Sequence, residues 1–316
     1  MKSLRFFVGL LAVTAGASFA QSVAGDPEAI DIKLRYQPGK TYETVSEVTT
    51  ATQFDLGGEQ MNNDQVMTFV VEYEVSAIEG SENIGMSMTY TRVAMVMDTM
   101  GERIIYDSAA KAEDEEVESP MKMMNDLVGK NIKMVISPDM EIKKIEGLDD
   151  ILKGNEEEGL EGEMLDDVKQ EHVKHLSGLS YPAMMPGKPV KEGDEWPFTQ
   201  EMASAMLGEM ELKGTSSLRE VGLIDGRLQA VVEVTAKGKT VVKEEGAADA
   251  VQPMLGAGGQ VKKMEMKGEV VIDIDAGYVV SATMDSDIVM TMDMGDGAAL
   301  MELPIKSTAK LRTSIK

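Results

Sequence analysis

Polar and apolar residues alternate over long stretches of this sequence. In residues 66–78 (VMTFVVEYEVSAI) nearly every second residue is apolar, which is typical of a strand with one buried face. A turn follows at residues 79–82, and residues 84–97 return with the same alternation. The apolar parity changes once in this returning strand, beside Thr91 and Arg92, which predicts a β-bulge there.

Three further hairpins are predicted where a turn-forming segment separates two alternating runs. Their turns are Ser137-Pro138-Asp139, Asp225-Gly226 and Asp275-Ala276-Gly277. The strand after the third turn, residues 278–294, is unusually long. In the last strand, residues 305–316, lysine and arginine alternate with apolar residues, and we interpret these lysines as protection of an exposed edge strand.

Helical spacing is restricted to three segments. Ser119-Pro120 reads as a helix start, with Pro at the first helical position, for a helix over residues 119–128 that Gly129 ends. Residues 156–179 place apolar side chains at helical spacing opposite an acidic face. Thr199 is expected to begin a short helix that runs to Leu207.

The two halves of the chain share a weak pattern that indicates an internal duplication. Gly39 and Tyr42 in PGKTYE correspond to Gly193 and Trp196 in EGDEWP, and later turns correspond at slowly decreasing offsets, with Val75 matched to Val221. We therefore predict a mainly β (α+β) fold: two related units of long antiparallel strands that form curved sheets or a half-barrel. The units cover residues 29–146 and 186–316, a helical connector covers residues 147–185, and one continuous sheet and two sheets both remain open.

Composition excludes several classes of site. The 316 residues contain no cysteine and two histidines, so disulfides, thiolate metal sites and multi-histidine sites elsewhere in the chain are excluded. The formal charge of −24 argues against nucleic acid as a partner, because nucleic acid requires a basic surface.

The N-terminus has the pattern of a signal peptide. Lys2 and Arg5 precede a short apolar stretch, and Ser18-Phe19-Ala20 offers small residues before a cleavage site. We expect residues 1–20 to be removed, residues 21–28 to form a flexible leader, and the mature protein to be periplasmic or secreted. No later segment is apolar enough to span a membrane as a helix.

Methionine is the compositional outlier, with 27 residues against 14 aromatic ones. Met-x-Met pairs recur on predicted strands, where a spacing of two places both thioethers on one face. Three interpretations remain open: a plain core in which methionine fills gaps, a cavity for apolar ligands, and a soft copper site. If there is a cavity, we expect its lining to include Met86, Met88, Tyr90, Trp196, Met284, Met290, Met292 and Met294.

Other candidate chemistry is weak. His172 and His175 lie on one side of the predicted connector helix without a third firm ligand, which favours two partly exposed helix residues over a metal site. Asp273 to Gly277 lacks the later acidic ligands of a calcium loop and is better explained as a hairpin turn. The sequence has no nucleophile elbow, phosphate-binding loop or dinucleotide fingerprint, so we expect neither an enzyme nor a cofactor.

The turns that open the two halves carry a family resemblance. A PGKxY turn and a GDxW turn, set between two β-rich halves, resemble exported bacterial proteins in families of unknown function. The residues are Pro38, Gly39, Lys40, Tyr42, Pro186, Val190, Gly193, Asp194 and Trp196. The strand-rich pattern is also similar to periplasmic lipoprotein carriers of the Lol type and to lipid-binding half-barrels. These resemblances imply an antiparallel, cavity-forming fold and no reaction.

The sequence therefore favours an exported, non-enzymatic protein that holds a lipid or another hydrophobic molecule between its methionine-rich strands. The main alternative is a structural or interaction protein of the cell envelope, with an envelope protein as its partner and a plain methionine-rich core. Copper handling through methionine is the third hypothesis.

Overall fold

The twelve strands described in this chain belong to one antiparallel sheet. The computed structural model describes residues 29–56, 59–99, 102–110, 128–147, 181–204, 208–240, 260–292 and 301–316. The strands are β1 (Thr41–Leu56), β2 (Glu59–Ala77), β3 (Ile84–Thr99), β4 (Glu102–Asp107), β5 (Asn131–Ile136), β6 (Ile142–Glu146), β7 (Glu195–Ser204), β8 (Gly208–Ile224), β9 (Arg227–Thr240), β10 (Gln260–Asp273), β11 (Tyr278–Met292) and β12 (Met301–Ile315).

The strand order is β6-β5-β3-β2-β1-β12-β11-β10-β9-β8-β7, and β4 pairs with β3 beside this path. Most neighbours in the sheet are also neighbours in the sequence. There are two exceptions, the pairing of β3 with β5 and that of β1 with β12. The second joins the first strand to the last over eleven register partners, from Tyr42–Ile315 to Thr52–Ile305. The two predicted units therefore form one continuous sheet, which is not closed because β6 and β7 are its two edges.

One face of the sheet, which we call the core face, carries most of the buried side chains. Alternation decides which residues these are, as the burial of Met86, Met88 and Tyr90 on β3 illustrates. The predicted bulge is confirmed, because Val70 pairs with Arg92 and Val71 with Tyr90, which leaves Thr91 without a register partner. Beyond the bulge the buried parity changes to Val93 and Met95.

The predicted hairpin turns are confirmed. Asp225 and Gly226 have φ angles of 52° and 75°, the left-handed pair that a two-residue type I′ turn requires. The turn at Ser137-Pro138-Asp139 connects β5 to β6, and the turn that ends at Gly277 connects β10 to β11.

Two predictions about the second half are wrong. Thr199 does not begin a helix, because it lies in β7 and pairs with Lys213 of β8. The alternating burial of Trp196 and Phe198 provides the reason, because it continues through Thr199 and places Gln200 on the core face as well. The last strand is also not an edge strand, because β12 lies between β1 and β11.

The lysines of β12, and Lys316 directly after it, therefore have another role than edge protection. They lie among acidic side chains of neighbouring strands, which they partly neutralise. Lys316 is 2.7 Å from Glu43 and also contacts Glu72, and Lys310 lies 4.0 Å from Glu47. These pairs are exposed, so each contributes at most about 1 kcal/mol to stability.

The predicted helical connector is not supported by the described residues. Within residues 147–185 they include Gly147 and residues 181–185, where Tyr181–Met184 form a 3₁₀ helix. The remainder of the connector, with His172 and His175, lies outside the described residues, as do the signal peptide, the leader and residues 119–127 of the other predicted helix. Val128, the last residue of that prediction, forms an isolated parallel bridge with Tyr90.

The turns that open the two halves have the same hydrogen-bonding geometry. Gly39 and Gly193 have φ angles of 83° and 86°, and each donates its N–H to the carbonyl oxygen of a neighbouring strand residue, Val75 or Leu218, over 2.7 and 2.8 Å. The geometry matches Val75 with Leu218 rather than with Val221, because β8 contains a register shift just after Leu218. The internal duplication itself stays a prediction.

Candidate functional site

An extended N-terminal segment crosses one end of the sheet, which we call the turn end because the turns after β2, β5, β8 and β10 lie there. The segment covers residues 30–36, and its side chains alternate: Ile32 and Leu34 are 0% and 7% exposed, whereas Lys33 and Arg35 face solvent. Ile30 exchanges two backbone hydrogen bonds with Val190, of 2.8 and 2.9 Å. The segment is thereby attached to the chain that leads into edge strand β7.

A cavity of about 490 Å³ lies between this segment and the two edges of the sheet. Its walls are the N-terminal segment, the β5–β6 turn and residues 182–187, which precede β7. The lining residues are Ile32, Lys33, Leu34, Arg35, Tyr36, Glu82, Ile84, Ser137, Pro138, Asp139, Met140, Pro182, Met185, Pro186 and Gly187. We call this space the end cavity. Its volume lies within the range of small-molecule sites, and its lining is mainly apolar, as in such sites.

Met140 lines the end cavity from a strained backbone conformation. Its φ angle is 64°, a left-handed value that usually favours glycine or asparagine, yet its side chain is 7% exposed. The turn is fixed by two hydrogen bonds, from Met140 N to the Ser137 carbonyl and from Glu141 N to Ser137 Oγ, of 2.9 and 3.1 Å. A non-glycine residue costs roughly 1–2 kcal/mol in this conformation, so packing of the methionine side chain must offset the strain.

Arg35 is an exposed residue of the cavity lining, and it has a defined position. We call the solvent-exposed side of the end cavity, where Arg35, Glu82 and Asp139 lie, its mouth. Its backbone N–H donates to the carbonyl oxygen of Gly277 over 2.6 Å. Its side-chain stem lies across Gly277, so close that a Cβ atom on this glycine would overlap Arg35 Cγ. The φ angle of Gly277, 71°, is a second reason for glycine at this position. The turn between β10 and β11 therefore positions the arginine.

Three tyrosines lie beside the cavity. The rings of Tyr36 and Tyr42 are 5.0 Å apart and meet edge to face, a favourable aromatic geometry. Burial raises the pKa of Tyr36, with a further contribution from Tyr42 and Tyr181, and burial raises the pKa of Tyr181 to about 12. These phenols are therefore neutral at physiological pH, and they give the turn end polar groups without charge.

The residues that the sequence suggested as cavity lining lie elsewhere. Met86, Met88, Tyr90, Met284 and Trp196 are buried together in the main hydrophobic core, and Met290 is buried on β11 outside that cluster. None of these six is among the described residues that line the end cavity. Met292 ends β11 and its side chain is not described, and Met294 lies outside the described residues.

Several large side chains on the core face lie flat over glycines of the neighbouring strand. A Cβ atom on Gly238 would be 2.8 Å from Met264 Sδ, and one on Gly214 would be 2.5 Å from the ring of Phe198. Gly268 stands in the same relation to its register partner Met284. These contacts support the plain-core interpretation for Met264 and Met284, because both side chains pack against the sheet.

Sequence reasoning missed the two methionines that do line the cavity, Met140 and Met185. Neither belongs to a Met-x-Met pair, and the cavity unites three segments that are far apart in the sequence. One signal was available: residues 30–36 (IDIKLRY) alternate as strictly as a strand does, which indicates a buried extended segment before β1.

Two further observations concern the described part of the chain alone. No group of three His, Asp or Glu side chains there is arranged to hold a metal ion. None of the helices in these ranges has the length and apolar character that a membrane crossing requires.

Comparison with protein-family models gives one match. The model of the family of unknown function DUF6263 matches residues 81–279, well over half of the chain. The chain belongs to DUF6263. The matched region includes the β5–β6 turn and residues 182–187, two walls of the end cavity, but neither the N-terminal segment nor β12. A comparison with curated protein sequences gives no match.

Among solved structures, the chain is similar to lipovitellin, in a structure that concerns lipid–protein interactions. The identity is 12% and the TM-score is 0.50, over 89% of this chain and 26% of that one, so the similarity shows the fold alone. The chain spans about a quarter of the lipovitellin chain that it matches.

An outer membrane channel from Pseudomonas putida F1 matches 92% of this chain and 98% of its own at 8% identity, with a TM-score of 0.22. A DUF1329 family protein from Desulfovibrio piger matches 86% of this chain and 83% of its own at 10% identity, with a TM-score of 0.13.

Proposed function

We propose that this protein binds a hydrophobic small molecule or lipid in the end cavity, and that it does so without catalysing a reaction. The observation that carries the proposal is the cavity itself. It has about 490 Å³ of space, and Leu34, Ile84, Met140 and Met185 give it apolar walls. Apolar walls with few polar groups are the usual form of a ligand site.

The strain at Met140 supports the same proposal. A glycine at this position would relieve the backbone but would remove an apolar, adaptable side chain from the cavity wall. Strained residues of this kind cluster at ligand sites, where the surrounding structure maintains them. Similarity of fold to lipovitellin is compatible with a lipid ligand, and supports it at the level of architecture only.

Export to the periplasm or beyond is part of the proposal. It rests on the basic start, the short apolar stretch and the small residues before position 21. In that compartment a protein without cysteine depends on packing for its stability, which agrees with the continuous core of the sheet.

A second function is favoured by a different observation. Met88 and Tyr90 are 0% exposed, and Met284 packs over Gly268, so in this part of the core face the methionine side chains are packed as ordinary core residues. The second function is that of a structural or interaction protein of the cell envelope, in which methionine fills the core. It predicts that the purified protein binds an envelope protein and no small molecule.

Blocking the end cavity distinguishes the two functions. The experiment is displacement of a fluorescent fatty acid probe from the full-length protein and from two variants. Met185→Trp places a larger side chain in the cavity wall, whereas Ala183→Trp places the same side chain on the exposed face of the same segment. We expect Met185→Trp to weaken probe binding about tenfold or more and Ala183→Trp to leave it unchanged. Equal binding by all three proteins, or no binding, would contradict the proposal.

A further inference from the structure

We infer that the end cavity takes a single-chain amphiphile with a zwitterionic head group. The chain of the ligand lies against the apolar walls, and the head group, with one anionic and one cationic centre, lies among the charges at the mouth. This inference rests on the proposed function and specifies the class of ligand.

The size of the cavity favours one chain over two. A volume of about 490 Å³ lies in the lower half of the range for small-molecule sites. The apolar part of the lining includes Leu34 and Met140, which are buried, and Ile84 and Met185, which are half-buried. An apolar chain that enters from the mouth therefore meets these four side chains.

The positive side of the mouth is Arg35. Its stem is held over Gly277, and its guanidinium is exposed to solvent. Within the described residues no carboxylate forms an ion pair with it, whereas the neighbouring Lys33 is paired with Asp31 at 2.8 Å. Within the described lining Arg35 is thus the cation without an ion pair, and a guanidinium offers the paired donors that phosphate or carboxylate accepts.

The negative side of the mouth is formed by two turns. Glu82 lies between β2 and β3, and Asp139 lies between β5 and β6. Both carboxylates are exposed, and in the described part of the chain neither forms an ion pair. They lie around the same cavity as Arg35 without pairing with it, which leaves both signs of charge available to one ligand.

The balance of charge argues against a head group of one sign. An anionic head at Arg35 would also face Glu82 and Asp139, on a protein whose formal charge is −24. A cationic head group would be repelled by the guanidinium of Arg35. A head that carries both signs satisfies the two sides together, because each of its centres meets an opposite charge.

Four single-chain amphiphiles with the same hydrocarbon chain test the inference: dodecylphosphocholine, dodecanoate, dodecyltrimethylammonium and the neutral dodecyl maltoside. Binding to the full-length protein is measured by calorimetry below the critical micelle concentrations. We expect dodecylphosphocholine to bind about tenfold more tightly than the other three. Equal affinities would overturn the inference and leave the proposed function intact, as would tightest binding of a head group of one sign.

Variants test whether the charged residues at the mouth cause the preference for the zwitterionic amphiphile. Arg35→Gln should lower the affinity for dodecylphosphocholine to that for dodecyl maltoside, whose own affinity stays unchanged, and Arg35→Lys should keep most of the preference. The double variant Glu82→Gln, Asp139→Asn should raise the affinity for dodecanoate. Arg103→Gln, at an exposed position of β4, is the control and should change nothing. A preference that survives Arg35→Gln would overturn the inference, and failure of every amphiphile to bind would overturn the proposed function as well.

Discussion

The indole Nε1 of Trp196 donates a hydrogen bond to the carbonyl oxygen of Met184, 2.9 Å away. This buried contact ties edge strand β7 to the 3₁₀ helix Tyr181–Met184, and the residues just after that helix form one wall of the end cavity. Trp196, which opens β7, therefore holds the cavity wall in place through a backbone atom rather than lining the cavity itself.

Trp196→Phe tests this role. The substitution keeps an aromatic ring but leaves the buried Met184 carbonyl without its donor, which costs about 1–3 kcal/mol of unfolding free energy. We expect a loss of that size by denaturant titration, together with faster proteolysis near residues 181–187. Phe198→Leu, on the same strand, is the control: it should cost stability without exposing that segment. Intact protection of residues 181–187 in Trp196→Phe would contradict the role.

Gly268 is required by its register partner. A Cβ atom there would lie 2.9 Å from Met284 Cα and closer still to the carbonyl oxygen of Thr283, so the two strands would have to separate. We expect Gly268→Ala to lower the unfolding free energy by about 2 kcal/mol or more. Gly187→Ala is the matched control, because an added methyl group there would have no atom within 4 Å, and it should be close to neutral. A neutral Gly268→Ala would show that the strands are less close than described.

At position 140 the usual order of stability of alanine and glycine variants should be reversed. In a strand, a protein with glycine is less stable than the same protein with alanine. At the φ angle of Met140, 64°, the Cβ atom of an alanine causes backbone strain instead. We therefore expect Met140→Gly to be more stable than Met140→Ala by about 1 kcal/mol. The same pair of substitutions at Met134, which is buried on β5, should give the opposite order. Chemical denaturation of the four variants measures both differences.

Asp107 gives the protein a small dependence of stability on pH. Hydrogen bonds from Arg92, at 2.6 and 3.0 Å, lower the pKa of this carboxyl below its ordinary value of 3.8. Because the folded-state pKa is the lower one, the stabilisation is present above the unfolded-state pKa and is lost as the pH falls through the folded-state pKa. The pair is partly exposed, so we expect less than about 1 kcal/mol. Asp107→Asn should flatten the stability profile in this acid range, as measured by denaturant titration at a series of pH values.

Alternation along the chain predicted the strands well because, over most of their length, the strands of this sheet have one buried and one more exposed face. The same reasoning predicted the bulge at Thr91, since a change of parity has no other common cause within a strand. Alternation does not identify partners, however. The pairing of β1 with β12 was not predicted, and the lysines of β12 were consequently assigned to an edge.

The end cavity could be predicted only in part. Its N-terminal wall is visible in the alternation of residues 30–36, but its other walls come from a turn and from the segment before β7. Their meeting depends on how the two edges of a twelve-stranded sheet approach each other, which no local pattern specifies. We still propose a hydrophobic ligand, but in the end cavity. The methionines that support this proposal are Met140 and Met185 rather than the Met-x-Met pairs.

Native mass spectrometry of the protein purified from its own host tests the central claim most directly. The account predicts a population with the mass of the chain plus one amphiphile, and loss of that population in Met185→Trp but not in Ala183→Trp. A single mass for the unliganded chain under gentle conditions, in protein that also fails to bind any added amphiphile, would contradict it.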